Sequence, residues 1–216
     1  PNLVVQFDLP DSFVTSPSVA GLNPPRPNFA GIDYDGTADF LELVGNDAVN
    51  IFNVQPSTAT EFSLDGRLPL PGQPVAGGGD YLLLDTETTG TVGRKLRTTG
   101  LGQGFWGFRS AHKRVHFQSI ERFNHVATYA VTSGGSLPVI QVYDAETNEL
   151  QFQVLTYESF YRGEVRAITG DVNNDGLPDL IVAPGGSRAP TVKIFNGSPD
   201  AEGNYAHQLL TSFNAF

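Results

Sequence analysis

The sequence contains no cysteine and no methionine. Without thiols the chain forms no disulfide framework, has no thiolate nucleophile and offers no Cys-ligated zinc or iron site. The chain does not begin with Met, and no basic segment followed by an apolar one opens it. We therefore expect either a processed product or a piece of a longer protein.

Long apolar runs and positive charge are both scarce. No window approaches the roughly 18 consecutive apolar residues of a membrane-spanning helix, so we expect no membrane insertion. The 13 Lys and Arg residues against 23 Asp and Glu give a net charge of −10, which argues against nucleic acid as a partner. Seven of the 13 basic residues nevertheless fall between Arg94 and Arg122, where the only acid is Glu121. This basic stretch suits an anionic glycan, the acidic surface of a neighbouring subunit or a merely solvated face.

Helical periodicity is nearly absent. Short segments alternate apolar and polar residues with a period of two, as in "DYLLLDTE", "PVIQVYDA" and "TVKIFNG". Clusters of Gly, Pro, Asn and Asp separate them, and the longest separator, residues 66 to 80, is predicted to be a surface loop. The pattern predicts an all-β fold with almost no helix.

The organisation changes near residues 122 to 126, where the basic stretch ends and a strand pattern with a period of roughly fifty residues begins. We predict a β-rich N-terminal domain over residues 1–124, built as a β-solenoid or a sandwich-like fold, with further blades as a third possibility. Residues 125–216 are predicted to form two antiparallel units that resemble propeller blades.

The segment "GDVNNDGLPDLIV", residues 170–182, crowds oxygen-bearing side chains ahead of an apolar strand. Loop positions 1, 3, 5 and 9 carry oxygen ligands and position 7 offers a backbone carbonyl, as calcium prefers. The predicted ligands are Asp171, Asn173, Asp175, Leu177 through its carbonyl, and Asp179. Gly176 permits the sharp turn, but Val182 replaces the Glu that an EF-hand needs. The alternative is an Asx-rich turn without metal.

A weaker copy of this pattern lies in residues 30–43, "AGIDYDGTADFLEL". The copy keeps Asp33, Asp35 and Asp39, but Gly31 stands where the stronger loop has Asp171. These three acids are a second candidate calcium site, and a solvated turn fits them equally well. The two segments are either diverged repeats or one useful turn that arose twice.

The stretch "DVNNDGLPDLIVAPGGSRAPTVKIFNG" resembles the FG-GAP/VCBS repeat, the calcium-binding blade unit of integrin-alpha-like β-propellers. The resemblance covers about residues 126–216 as two repeats and implies the same calcium ligands in the second repeat. The first repeat, around "ATYAVTSGGSLPVIQVYDAETN", lacks the acidic loop. Two blades do not close a ring, because a propeller needs at least four. The chain is therefore expected to continue elsewhere, to pair with copies of itself or to use its blades as an open sheet.

A wider resemblance adds an expectation about location. With "GGGDYLLLDTETTG" and "HKRVHFQSIERFNHVA" ahead of the blades, the chain is similar to the distal region of large secreted or surface proteins of planctomycete-type bacteria. This resemblance implies an extracellular or cell-surface location.

Three weaker signals lie in the basic stretch. "GQGFWG", residues 102–107, matches a dinucleotide-binding pattern but has no preceding strand and following helix. Aromatic residues between glycines form either a sugar-stacking platform or a plug of a small core. The candidate glycan or partner contacts are Phe105, Trp106, Arg109, Lys113 and Arg114. His112 and His116 stand about 13 Å apart along a strand, too far to share a metal ion.

These observations favour a non-enzymatic extracellular structural protein, a segment of a filament, surface layer or adhesin with calcium-stabilised β-repeats. The strand-like ends "NLVVQFDL" and "HQLLTSFNAF" are potential unpaired edges, and edge pairing would build a polymer. A glycan-binding surface module is the alternative. A secreted hydrolase is the least favoured reading, because no nucleophile elbow or metal-binding helix is present and only paired acids remain possible.

Overall fold

A computed structural model of the chain describes residues 3–6, 13–17, 30–34, 38–45, 47, 49–68, 79–87, 89, 93–132, 137–186 and 188–215. For the strands before residue 38 it describes the backbone only. Every regular element in this part of the chain is a β-strand, which confirms the all-β prediction. None of the described residues forms a helix with the length and apolarity needed to cross a membrane.

The chain divides into two compact units. The first unit holds residues 1–124 together with 174–176 and 201–203. The second holds residues 125–173, 177–200 and 204–216. The main division falls between Asn124 and His125.

The described residues of the first unit form eleven short strands. They are β1 (Leu3–Gln6), β2 (Phe13–Pro17), β3 (Ala30–Tyr34), β4 (Phe40–Val44), β5 (Ile51–Val54), β6 (Glu61–Asp65), β7 (Tyr81–Leu84), β8 (Lys95–Gly100), β9 (Gln103–Gly107), β10 (Val115–Gln118) and β11 (Arg122–Phe123). Two sheets contain them. Sheet A has the order β1-β4-β6-β10-β9-β8, and sheet B has the order β11-β7-β5-β2-β3.

The pairing of these strands is that of a parallel β-solenoid. Strands β1, β4, β6 and β10 pair in parallel within sheet A, and all strands of sheet B pair in parallel. Successive strands β4, β5, β6 and β7 alternate between the two sheets. From β4 to β7 each coil of the chain therefore adds one strand to each sheet, whereas β2 and β3 both lie in sheet B. Of the architectures predicted for this region, the solenoid is the one observed.

Alternation along the strands builds the core of the first unit. In β4, β5, β6 and β7 every second residue is buried. The largest of these fully buried side chains are Leu41, Leu43, Phe52, Phe62, Leu64, Leu82 and Leu84. Burial of one such side chain is worth about 1.5–3 kcal/mol. This apolar face, repeated once per coil, holds the unit together.

Strands β8 and β9 interrupt the parallel pattern. They form a hairpin, and β9 pairs antiparallel with β10 at the end of the parallel part of sheet A. The "GQGFWG" segment lies largely within β9. Because it is a hairpin strand and no helix follows it, the dinucleotide reading has no structural basis.

One corner of the solenoid carries a ladder of buried polar residues. Each of three neighbouring sheet B strands is preceded by one of them: Asn50, Asp80 and Glu121. The backbone N–H groups of Tyr81 and Arg122 donate to the carbonyls of Asn50 and Asp80 over 2.9 and 3.0 Å. The three residues therefore occupy equivalent positions in successive coils. We call this group the corner ladder.

The described residues of the second unit form seven strands in two antiparallel sheets. They are β12 (Thr128–Thr132), β13 (Val139–Asp144), β14 (Leu150–Leu155), β15 (Val165–Gly170), β16 (Asp179–Pro184), β17 (Thr191–Phe195) and β18 (Leu209–Asn214). Sheet C has the order β12-β13-β14 and sheet D the order β15-β16-β17-β18, so each follows the chain. Ile140, Val142, Leu180 and Val182 lie in one shared buried cluster, which joins the two sheets.

The two Asp-containing segments that look alike in sequence differ in topology. Residues 30–34 form β3 in sheet B, and the strand that follows, β4, belongs to sheet A. In the second unit β15 and β16 are adjacent antiparallel strands of one sheet. The similarity is therefore one of turn chemistry and not of a repeated supersecondary unit.

Candidate functional site

The predicted calcium loop, residues 171–178, joins β15 to β16. The last residue pair of the two strands is Gly170 with Asp179, so the loop starts and ends at one point of sheet D. Two of its residues have positive φ, Asn174 at 59° and Gly176 at 83°. The sharp turn predicted at Gly176 is therefore present, in a conformation that favours glycine.

Asp179 anchors this loop from its first position in β16. Its side chain is fully buried. Its Oδ2 atom accepts a hydrogen bond from the Val172 backbone N–H at 3.0 Å, and Oδ1 accepts one from the Gly197 backbone N–H at 3.1 Å. The carboxylate thus ties the start of the loop, the start of β16 and the turn after β17 together.

The other predicted ligands differ in exposure. Asp175 and Leu177 are buried, Asp171 is exposed and Asn173 is partly exposed. The donor set of carboxylates, an amide and a backbone carbonyl has the chemistry that calcium prefers. Among the residues that the structure describes, however, no three His, Asp or Glu side chains are arranged to hold a metal ion. Calcium binding by this loop stays a prediction, and it requires its carboxylates to turn toward one another.

The second candidate calcium site is not assembled by the described residues. Asp33 lies in β3, where only the backbone is described, and Asp35 lies outside the described residues. Asp39 is exposed and directly precedes β4. This candidate also stays a prediction.

The aromatic residues of the basic stretch separate onto opposite faces of β9. Trp106 is 3% exposed and belongs to the core, so its prediction as a glycan or partner contact is wrong. Alternation along the strand turns Phe105 to the other face, where the Arg114 guanidinium lies 4.4 Å from its ring centroid. Arg109 and Lys113 are exposed, as a partner contact requires.

The two histidines of this stretch have separate partners. His116 Nε2 lies 2.6 Å from Glu61 Oε1, and His112 Nδ1 lies 2.8 Å from Ser110 Oγ. The structure thus pairs each with a side chain near it and gives them no common site.

Two buried acids are functional candidates that the sequence reading did not identify. Burial raises the pKa of Asp80 to about 6 and the pKa of Glu121 to about 7. Asp80 Oδ2 and Glu121 Oε1 are buried without a hydrogen-bond partner. The only signal in the sequence is that each acid stands immediately before a strand, a position that also suits an exposed turn residue.

A second cluster that the sequence did not indicate lies between β14 and β15. Arg188 lies over the rings of Tyr157 and Tyr161, 4.4 and 5.3 Å from their centroids, and forms an ion pair with Glu158. The Tyr157 hydroxyl donates to the Thr191 carbonyl at 2.8 Å. Burial raises the pKa of Tyr157 to about 12. The cluster fixes residues 156–164 to sheet D by side chains.

Comparison of the chain with protein-family models, with curated proteins and with solved structures finds no match.

Proposed function

We propose that the chain is a non-enzymatic extracellular structural protein, a segment of a filament, surface layer or adhesin that associates with copies of itself. Calcium bound by residues 171–179 stabilises the second unit in this proposal. Sheets dominate both units, and a solenoid combined with antiparallel sheets suits a scaffold that transmits mechanical load.

The observation that carries the proposal is the exposure of β18. All six of its residues are exposed, so neither face of the strand is covered. Leu209 and Phe213 are 46% and 51% exposed. In the described part of the chain β18 pairs only with β17. An exposed apolar edge strand is a template for pairing with another chain.

Charge distribution supports contact between copies. Lys95, Arg109, Lys113, Arg114 and Arg122 are exposed. The only acid of this stretch, Glu121, is buried, so the surface of the stretch is purely basic. Residues 125–216 instead hold ten Asp and Glu against four Lys and Arg. A basic surface on one copy and an acidic one on the next favour head-to-tail association over self-pairing of one surface.

The edge of β18 is tested by the double variant Leu209→Lys/Phe213→Lys. We expect the wild-type chain to form concentration-dependent assemblies in analytical ultracentrifugation and the variant to stay smaller, because inserted charges block edge pairing. Phe160→Lys is the matched control, since Phe160 is 78% exposed but lies outside any strand. Equal assembly of the double variant and the wild type would contradict the proposal.

A further inference from the structure

The carboxyl group of Asp80 in the corner ladder has the hydrogen-bond pattern of a protonated acid. Its Oδ1 atom accepts from the Asn50 backbone N–H at 2.5 Å and from Asn50 Nδ2 at 3.1 Å. Its Oδ2 atom has no hydrogen-bond partner and is buried. One oxygen is therefore doubly satisfied as an acceptor, and the other lacks any donor.

The surroundings of Oδ2 offer another acceptor instead of a donor. A Cβ atom built on Gly66 would lie 2.3 Å from Asp80 Oδ2 and 2.2 Å from the Ser119 carbonyl oxygen. Both oxygens thus crowd the same space beside Gly66. Two acceptor oxygens that face the same small space repel each other unless a hydrogen lies between them. An O–H group on Oδ2 would turn this atom into a donor, with the Ser119 carbonyl as an acceptor on the same side of Gly66.

We propose that Asp80 is a buried proton-binding site, so that the first unit is most stable in mildly acidic solution and loses stability as the pH rises toward neutrality. The bound proton gives Asp80 Oδ2 a hydrogen to donate within the corner ladder. The ladder residues that contact one another are 30 and 41 positions apart in the sequence. The inference does not depend on calcium, on assembly or on the proposed function.

The charged groups around Asp80 all act in the same direction. Asp65, at the end of β6, raises the pKa of Asp80 by its negative charge, and Glu121 lies next to it in the ladder with its Oε2 accepting the Asp80 N–H at 2.5 Å. Asn50, which precedes β5, and Ser119, which follows β10, contribute neutral groups. Arg122 follows Glu121, but its guanidinium lies over the Tyr81 ring, 4.7 Å from the centroid.

The direction of the pH effect follows from which form of the chain, folded or unfolded, binds the proton more tightly. The folded chain keeps it up to about pH 6, whereas the ordinary Asp value is 3.8. The stabilisation is therefore complete below that ordinary value, falls as the pH rises to about 6 and is absent above it. Within this window a single acid changes the folding equilibrium constant by roughly tenfold per pH unit.

The experiment is urea unfolding of the full chain at several pH values, followed by the fluorescence of Trp106. This residue is the only tryptophan, and its buried position in β9 makes it report on the first unit. We expect the wild-type folding constant to fall roughly tenfold or more between pH 5 and pH 7.5. Asp80→Asn, which keeps the shape and carries no charge, should have a clearly smaller slope and be the more stable chain at pH 7.5, and the slope that remains comes from Glu121, whose pKa burial raises to about 7.

Asp47→Asn is the control, because Asp47 is an exposed acid of the same unit. It should keep the wild-type slope. Equal slopes in the wild type and Asp80→Asn would overturn the proposal. A rise in wild-type stability at pH 7.5 on adding calcium chloride that Asp80→Asn lacks would also overturn it, because the site would then hold a metal ion.

A measurement on the wild type alone decides the matter if Asp80→Asn does not fold. The ¹³C resonance of the Asp80 carboxyl group reports its protonation directly. A titration midpoint near 6 supports the proposal, and a midpoint at or below the ordinary value of 3.8 overturns it.

Discussion

Gly66 sets how closely the coils of the solenoid approach one another at the residue scale. It follows β6, and its backbone N–H donates to the Gln118 carbonyl at 3.0 Å. The space that a side chain would need is already filled by the Ser119 carbonyl and the Asp80 carboxyl. Neither neighbour can give way freely, since one is backbone and the other is held by Asn50.

Gly66→Ala is therefore predicted to destabilise the first unit by about 1–3 kcal/mol, the usual cost of forcing extra atoms into a packed site. Gly107→Ala is the matched control, because a Cβ there would meet its nearest atom at 3.8 Å, an ordinary contact. Urea unfolding followed by Trp106 fluorescence measures both variants. Equal midpoints for the two would contradict this account of the corner.

The segment between β14 and β15 illustrates how an element without strand pairing is held. Residues 156–164 are fixed to sheet D by aromatic rings, hydroxyl hydrogen bonds and the Arg188 guanidinium. Lys193 adds a hydrogen bond from its Nζ to the Thr156 carbonyl at 2.7 Å. The segment therefore depends on individual side chains, and single substitutions should loosen it.

Arg188→Ala is predicted to destabilise the second unit by about 1–2 kcal/mol, because it removes a cation from two aromatic faces in a partly desolvated site. The near-ultraviolet circular dichroism of the tyrosines, five of which lie in residues 125–216, follows mainly the unfolding of the second unit. Phe160→Ala, in the same segment but 78% exposed, should leave stability unchanged. A similar loss of stability in both variants would contradict this role of the Arg188 guanidinium.

Strand prediction succeeded where apolar and polar residues alternate and failed where glycine and threonine dilute the pattern. The period of two predicts β1, β4 to β7, β10, β13, β14 and β16 to β18. It does not reveal β8, "KLRTTG", whose residues are all partly or fully exposed. In that hairpin the backbone pairing with β9 decides the structure, and backbone pairing leaves little trace in side-chain pattern.

Burial of the corner ladder could not be read from the sequence for a related reason. Asn50, Asp80 and Glu121 each look like solvated turn residues when taken alone. Their burial follows from the stacking of coils, which brings together residues separated by 30 and 41 positions. The burial of Trp106 was not predicted for the same reason, since the face of β9 that it occupies depends on pairing with β10.

The division into two units determines how the whole molecule should respond to calcium. Four of the five predicted ligands, Asp171, Asn173, Leu177 and Asp179, belong to the second unit, whereas Asp175 and Trp106 are grouped with the first. A ligand that binds only the folded form stabilises the part of the molecule that contains its site. Five of the seven tyrosines and no tryptophan lie in residues 125–216, so tyrosine signals report mainly on the second unit and Trp106 reports on the first.

Calcium at 100 times its dissociation constant is predicted to stabilise the second unit by about 2.7 kcal/mol. The tyrosine transition should move to higher temperature by more than the Trp106 transition, because four of the five predicted ligands belong to the second unit. Asp171→Ala should abolish the calcium-induced shift, because it removes the first ligand of the loop. An identical calcium response in the wild type and Asp171→Ala would remove the loop from consideration as the ion site.

The β8–β9 hairpin makes the two ends of the solenoid differ in their ability to accept a further coil. Beyond β10 sheet A continues only through antiparallel strands, so a further parallel coil has no template on that side. At the opposite side β1 and β3 end their sheets in parallel register. Within the described residues, a further coil finds parallel edges for both of its strands only beside β1 and β3, because on the β10 and β11 side only sheet B ends in a parallel strand. Extension of this scaffold by added coils should therefore start from the β1 and β3 side.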